Sequence, residues 1–151
     1  MSTAASITSI DLISEDPIEA ESLIRACQDL TAGALVVFHG IVRNHHKGDA
    51  VDYLEYSAHQ KLACILINTI LSDIIHKYSL IWAQAVHRVG RLYPGETAVV
   101  VVTSSAHRKE AYDANEEIIH RIKHEVPVWK KEFLKDGTCR WGVCDHGPGV
   151  L

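Results

Sequence analysis

The chain has 151 residues, of which 47% are apolar and 23% charged. That balance is typical of a globular protein and excludes wholesale disorder, collagen-like repeats and coiled coil. The length suits one domain, 1–151, whose core needs no disulfide or structural metal.

The net charge of −4, from 15 basic and 19 acidic residues, argues against sequence-independent nucleic-acid binding, which needs a basic surface. Charge is unevenly spread. Residues 1–42 hold one basic group, Arg25, against six acids, whereas residues 43–151 hold 14 basic and 13 acidic groups. An anion site is therefore expected in the later part. The apolar runs, such as Ala98–Val102, fall far short of the roughly 20 residues that span a bilayer. The first 20 residues lack the basic start and apolar stretch of a secretory leader. No membrane association and a cytoplasmic location are expected.

In chain order, residues 1–15 are weakly patterned and read as a frayed end or edge strand. Asp16-Pro17 with Glu19 reads as a capped helix start. Ala20, Leu23, Ile24, Cys27 and Leu30 keep helical spacing as far as Gly33. Ala34–Val42 reads as a buried strand, Arg43–Asp49 as a polar loop, and Val51–Tyr56 as a strand returning from it. An apolar stripe from Leu62 to Ile75 predicts a helix over about residues 60–78. Ile81–Val89 is a strand, Tyr93–Glu96 a turn, and Thr97–Thr103, with four consecutive valines, the clearest strand. A third helix follows Ser104-Ser105, carries Ala111, Ala114, Ile118, Ile119 and Ile122 on one stripe, and closes at Pro127. Trp129–Lys135 and Thr138–Val143 flank Asp136-Gly137, a hairpin signal. The tail from Asp145 to Leu151 reads as loose. The order implies an α+β fold, an antiparallel or mixed sheet packed by helices, ending in a C-terminal β-hairpin.

Three segments carry candidate chemistry. The first is Thr103–Arg108, at the start of the third helix. Free N–H groups there attract anions, and His107 and Arg108 oppose the helix dipole, which a purely structural helix start would avoid. Ordinary capping by Ser104 or Ser105 is the competing reading. The second is Arg43-Asn44-His45-His46, on a loop leaving a strand. The third is Lys123 with Lys130. Lys123 borders the apolar stripe, and Pro127 lets the chain turn so that Lys130 approaches it. Two such amines held close and partly screened from water would depress one pKa and yield a base or nucleophile. Two solvated helix-end lysines are the plain alternative.

The four cysteines, Cys27, Cys64, Cys139 and Cys144, form no CxxC pair and read as free thiols. His120 and His124, at helical i,i+4 spacing, lack a third ligand at a recognisable spacing. No metal site is expected from these spacings.

Taken together, several stretches resemble the large, catalytic subunit family of molybdopterin synthase. They are Gly40–His45, Leu54-Glu55-Tyr56, His87–Gly90, Pro94-Gly95-Glu96, Val102–Arg108 and Pro127–Glu132. Their order and spacing agree from about residue 33 to 141. Ser57–Gln60 departs from the family pattern, and residues 1–32 offer no distinctive match.

The resemblance implies a hammerhead-like fold and a sulfurtransferase of molybdenum cofactor biosynthesis. A small ubiquitin-like subunit would insert its thiocarboxylated C-terminus and deliver sulfur to cyclic pyranopterin monophosphate, making the molybdopterin dithiolene. The assembly would be a homodimer core within a heterotetramer, needing no metal or organic cofactor of its own. By resemblance, Lys123 and Lys130 are catalytic, and both also bind substrate together with Arg43, His107 and Arg108. His107 and Arg108 would serve the neighbouring protomer's pocket. Arg140 would lie near the bound tail. A non-catalytic module binding a ubiquitin-like tail or a phosphate ligand is the alternative.

Overall fold

The computed structural model describes residues 11–142. Its elements are β1 (Ile13–Ser14), α1 (Ala20–Ala26), β2 (Ala34–Ile41), β3 (His45–His46), β4 (Asp49–Ala58) and α2 (Gln60–Tyr78). These are followed by β5 (Trp82–Arg88), β6 (Gly90–Leu92), β7 (Thr97–Ser105), α3 (Arg108–Glu125), β8 (Val128–Leu134) and β9 (Cys139–Gly142). The first sheet has the order β1-β5-β7-β2, with only β1 parallel to its neighbour. The second has the order β3-β4-β8-β9, with β6 also paired to β4. The architecture is α+β, as expected.

The four valines explain the centre of the first sheet. Side chains alternate across a strand, so Val99 and Val101 join Ile67, Ile70, Ile118 and Ile122 beneath α2 and α3. Val100 and Val102 join Leu23 and Cys27 beneath α1. A strand covered on both faces is apolar without alternation. One polar residue interrupts the α3 stripe. The Asn115 amide donates to the Val101 carbonyl at 3.1 Å and the Val36 carbonyl at 3.2 Å, pinning the helix to two strands.

Several sequence expectations give way. The first helix begins at Ala20, with Glu19 at the cap and no capping side chain, and Asp16 sits instead in a turn with Ser14. That helix ends at Ala26 because Asp29 accepts hydrogen bonds from Thr31, a local turn that competes with helix. Leu30 is fully exposed. β2 is an edge strand rather than a buried one, with Leu35, Phe38 and Ile41 all exposed. The Arg43–Asp49 loop contains a hairpin: His45 and His46 pair with Ala50 and Asp49 across Lys47 and Gly48, both at positive φ. β4 does not return along β2 but belongs to the second sheet. Residues 1–10 and the 143–151 tail, with Cys144, lie outside the described residues.

Candidate active site

The site is built by strand register. On β8, Lys130 and Glu132 point to one face, two residues apart. Lys130 lies opposite Tyr56 of β4 on one side and Gly142 of β9 on the other, while Glu132 lies opposite Leu54 and Arg140. α3 ends at Glu125 and the chain turns through Val126 and Pro127, whose carbonyl accepts the His59 N–H at 3.3 Å. The last turn of α3 thereby meets β8. Lys123 and Lys130 line one recess of about 290 Å³, together with Tyr56, His87, Pro127 and Gly142.

Lys123 is half-buried, and its Nζ stands 5.9 Å from the Tyr56 ring centroid, in range of cation–π attraction. The Tyr56 ring meets His87 edge-on at 5.0 Å. His87 is buried and donates Nδ1–H to the Arg88 carbonyl at 2.7 Å. Burial, followed by the Lys123 charge, pushes its pKa down to about 3. His87 is therefore neutral at physiological pH and presents no like charge to Lys123.

Lys130 faces a buried carboxylate. Glu132 is 1% exposed. Its Oε2 accepts from Arg140 Nε at 2.9 Å, and its Oε1 contacts His46 Nδ1 at 2.5 Å and Lys130 Nζ at 3.6 Å. Burial alone would raise the carboxyl pKa. The Arg140 hydrogen bond, with Lys130 and His46, outweighs burial and lowers it. Arg140 also reaches Asp49 Oδ2 at 2.9 Å and the His46 carbonyl at 3.1 Å, so its three nitrogens are engaged within the chain.

Arg43 lines a smaller recess of about 70 Å³ with His46 and Glu132, and Tyr56 and Lys130 form the wall shared with the larger one. Arg43 thus sits beside the lysine recess rather than in it. His107 and Arg108 do not join it within one chain. They stand exposed at the start of α3, 15 residues and roughly 22 Å along the helix from Lys123 at 1.5 Å per residue. His107 is itself the cap residue, and no side chain caps this end. Ser105 Oγ donates to the His107 carbonyl, and neither serine caps the helix as the competing reading had it. His107 lines a separate groove with Lys77, Tyr78, Ser79, Ser105 and Glu110.

Other candidates recede. A cavity of about 530 Å³ beside Cys27 and Leu35 holds a thiol that burial pushes up to about 12, a poor nucleophile. The His120 and His124 ring centroids lie 4.1 Å apart with the rings tilted by 35°, but no group of three or more His, Cys, Asp or Glu residues converges for a metal among the described residues. No helix among them is long and apolar enough to cross a membrane. Glu132, His46 and Gly142 were not legible as one unit. The only signal was the Lys130/Glu132 alternation on a strand whose partners depend on register.

Fold and site together define a mixed-sheet α+β protein whose recess gathers two lysines beside a buried carboxylate. The profile of the family described as MoaE protein matches residues 13–125, and the chain belongs to that family. The molybdopterin synthase catalytic subunit of Bacillus subtilis (strain 168) is 42% identical over 125 residues, covering 83% of this chain and 80% of that one. The crystal structure of molybdopterin synthase from Staphylococcus aureus superposes with a TM-score of 0.82 at 40% identity, over 86% of this chain and 94% of that chain. A complex of subunits 1 and 2 of molybdopterin-converting factor from Helicobacter pylori shares the fold, with a TM-score of 0.69 at 21% identity, over 86% of this chain and 88% of that one.

Proposed function

We infer that this protein is the catalytic subunit of a molybdopterin synthase, a cytoplasmic sulfurtransferase. It moves sulfur from the thiocarboxylated C-terminus of a small ubiquitin-like subunit to cyclic pyranopterin monophosphate. The observation that carries this reading is the meeting of Lys123 and Lys130 in one recess from either side of Pro127. Both substrates are anionic, and this recess with its neighbour offers Lys123, Lys130 and Arg43.

In this reading Lys123 attacks or polarises the acyl carbon of the thiocarboxylate or of the pterin-bound intermediate formed from it. The acyl C–S bond breaks with the sulfur left on the pterin, and water takes up the acyl group so that the tail departs as a carboxylate. Tyr56 packs against its ammonium, and neutral His87 lets it approach the recess floor. Lys130 holds the tail carboxyl as sulfur leaves. Arg43 holds the pterin phosphate. His107 and Arg108 lie too far along α3 to act in their own chain's recess, so they serve that of a second copy in a homodimer. Arg140 acts at the tail-binding end by fixing Glu132, on which Lys130 rests.

The test is reconstitution of the protein with thiocarboxylated small subunit and pterin precursor. Dithiolene product is the expected result. Tight binding of the small subunit without product refutes the reading and favours the non-catalytic module.

Gly142 gives a sharper check. A Cβ there would run into Lys130 Cε, with Cγ and Cδ 3.3 and 3.4 Å away. The obstructing atoms belong to a flexible side chain, so Gly142→Ala is expected to keep the fold while displacing the ammonium. Turnover should fall by up to about 10²-fold, the scale set by misplacing a catalytic group by an ångström. Steady-state rates alongside a melting curve check it.

A further inference from the structure

We propose that Gly33 is a positioning residue: its bare Cα seats the chain that leaves β7 and so aims His107 and Arg108 at the recess of a second copy. The close approach stands on the structure alone; the aim toward a second copy rests on the function proposed above.

Two segments meet at Gly33. The loop from α1 to β2 turns on Asp29, whose carboxylate accepts from the Thr31 N–H at 2.8 Å and whose carbonyl accepts from the Ala32 N–H at 3.1 Å. The Gly33 N–H then donates to the carbonyl of Ser105, the last residue of β7, at 3.0 Å. Ala34 lies opposite Ser105 and opens the β2–β7 ladder. The next residue along, Ala106, lies against Gly33. A Cβ on Gly33 would stand 2.2 Å from the Ala106 carbonyl oxygen and 3.4 Å from its carbon, whereas real Cβ atoms essentially never come within 3.0 Å of such a neighbour. The obstructing atoms are backbone, unlike those facing Gly142, so no rotamer change relieves the contact. An alanine would have to part the two segments by about an ångström.

That displacement falls on the start of α3. The body of the helix is tied to the sheet: Thr103 Oγ1 donates to the Ala111 carbonyl at 2.8 Å, and Asn115 reaches the Val36 and Val101 carbonyls. β7 is held by β2 and β5 as far as Ser104. Between these anchors lie Ala106, His107 and Arg108, all exposed. The helix start has no side-chain cap, and Ser105 Oγ ties it to the strand by donating to the His107 carbonyl at 2.5 Å. Where Ala106 sits therefore sets where the imidazole and the guanidinium point. Gly33 is not among the residues lining the lysine recess, so its influence on that recess runs through His107 and Arg108.

The experiment combines two defective chains, Gly33→Ala and Lys123→Ala, each with its own affinity tag. Mixed dimers are isolated on both tags and assayed for dithiolene with the thiocarboxylated small subunit at limiting pterin precursor. Gly33→Ala homodimers are expected to lose about 10–100-fold in kcat/KM for the pterin, the scale of one hydrogen bond to a charged group. Their KM for the small subunit should not change. In the mixed dimer the Gly33→Ala chain keeps its Lys123 and is served by the correctly aimed His107 and Arg108 of the other chain. One recess of the two then works, and activity should return to about half that of wild type. A merely structural fault would spoil the recess of the Gly33→Ala chain itself, so a mixed dimer no better than the homodimers overturns the proposal. Unchanged kcat/KM in the Gly33→Ala homodimer overturns it as well. A Gly33→Ala chain that does not fold or pair does the same, because the glycine then holds the fold and not the aim of two side chains. Arg108→Ala with Lys123→Ala is the control pair. If the control regains activity and the Gly33→Ala pair does not, the proposal alone fails. If the control stays inactive, the reading that His107 and Arg108 serve a second copy fails, and the proposal falls with it.

Discussion

Lys123→Ala is expected to abolish dithiolene formation while leaving a folded protein. A positioned proton-transfer or nucleophilic group contributes about 10²–10⁴-fold to rate, and turnover should fall by at least that much. Stability should change by less than about 1 kcal/mol, because alanine is the best helix former and the neighbouring core residue, Ile122, is untouched. Two controls separate charge from chemistry. Lys123→Arg keeps the cation but has no accessible neutral amine, so it should restore binding of the anionic substrates without restoring turnover. Removing the Lys123 charge should also let the His87 pKa rise, although burial, the larger cause, keeps it depressed. Near-normal turnover in Lys123→Ala removes that residue from the mechanism.

The lysine pair was legible because its causes are local. A helical stripe places Lys123 at its border, and Pro127 forces the chain out of the helix within four residues, so Lys130 has to lie close by. The four valines of β7 and the Asp136-Gly137 hairpin were legible for the same reason. The misread segments depend on distant partners or on a single backbone angle. Ala34–Val42 is as apolar as a buried strand, but nothing local reveals that no strand among the described residues covers its outer edge. Lys47-Gly48 forms a hairpin turn although lysine at positive φ is uncommon, so the segment looks like a loop. The first helix looked longer because Leu30 keeps the period, whereas the Asp29–Thr31 turn ends it. The carboxylate beneath Lys130 follows from the β4/β8/β9 register, which no short window of sequence contains. His107 and Arg108 belong to a sharper case: their motif is plain in the sequence, yet one folded chain leaves them a helix-length from the lysines.

Glu132→Ala is expected to be the most destabilising single change at the site. It leaves Arg140, His46 and Lys130 clustered without the acceptor that balances them. Removing one partner of a buried ion pair typically costs about 3–5 kcal/mol. The lower end applies here, because the Arg140 side chain is 36% exposed and partly recovers solvent. Against a total stability of about 5–15 kcal/mol, that is a large fraction, and urea denaturation at pH 7 reads it directly. Glu132→Gln keeps the shape and part of the hydrogen bonding, so it isolates the charge. The folded pKa of Glu132 is lowered, so its contribution is complete above the unfolded carboxyl value of about 4.3. That contribution is lost as pH falls through the folded value. Wild type should therefore exceed Glu132→Gln in stability at pH 7, with the gap closing in acid below about pH 4. A gap that stays constant from pH 7 to pH 3 means that the carboxylate stabilises the fold by shape and hydrogen bonding alone. The lowered pKa of Glu132 would then carry no stability.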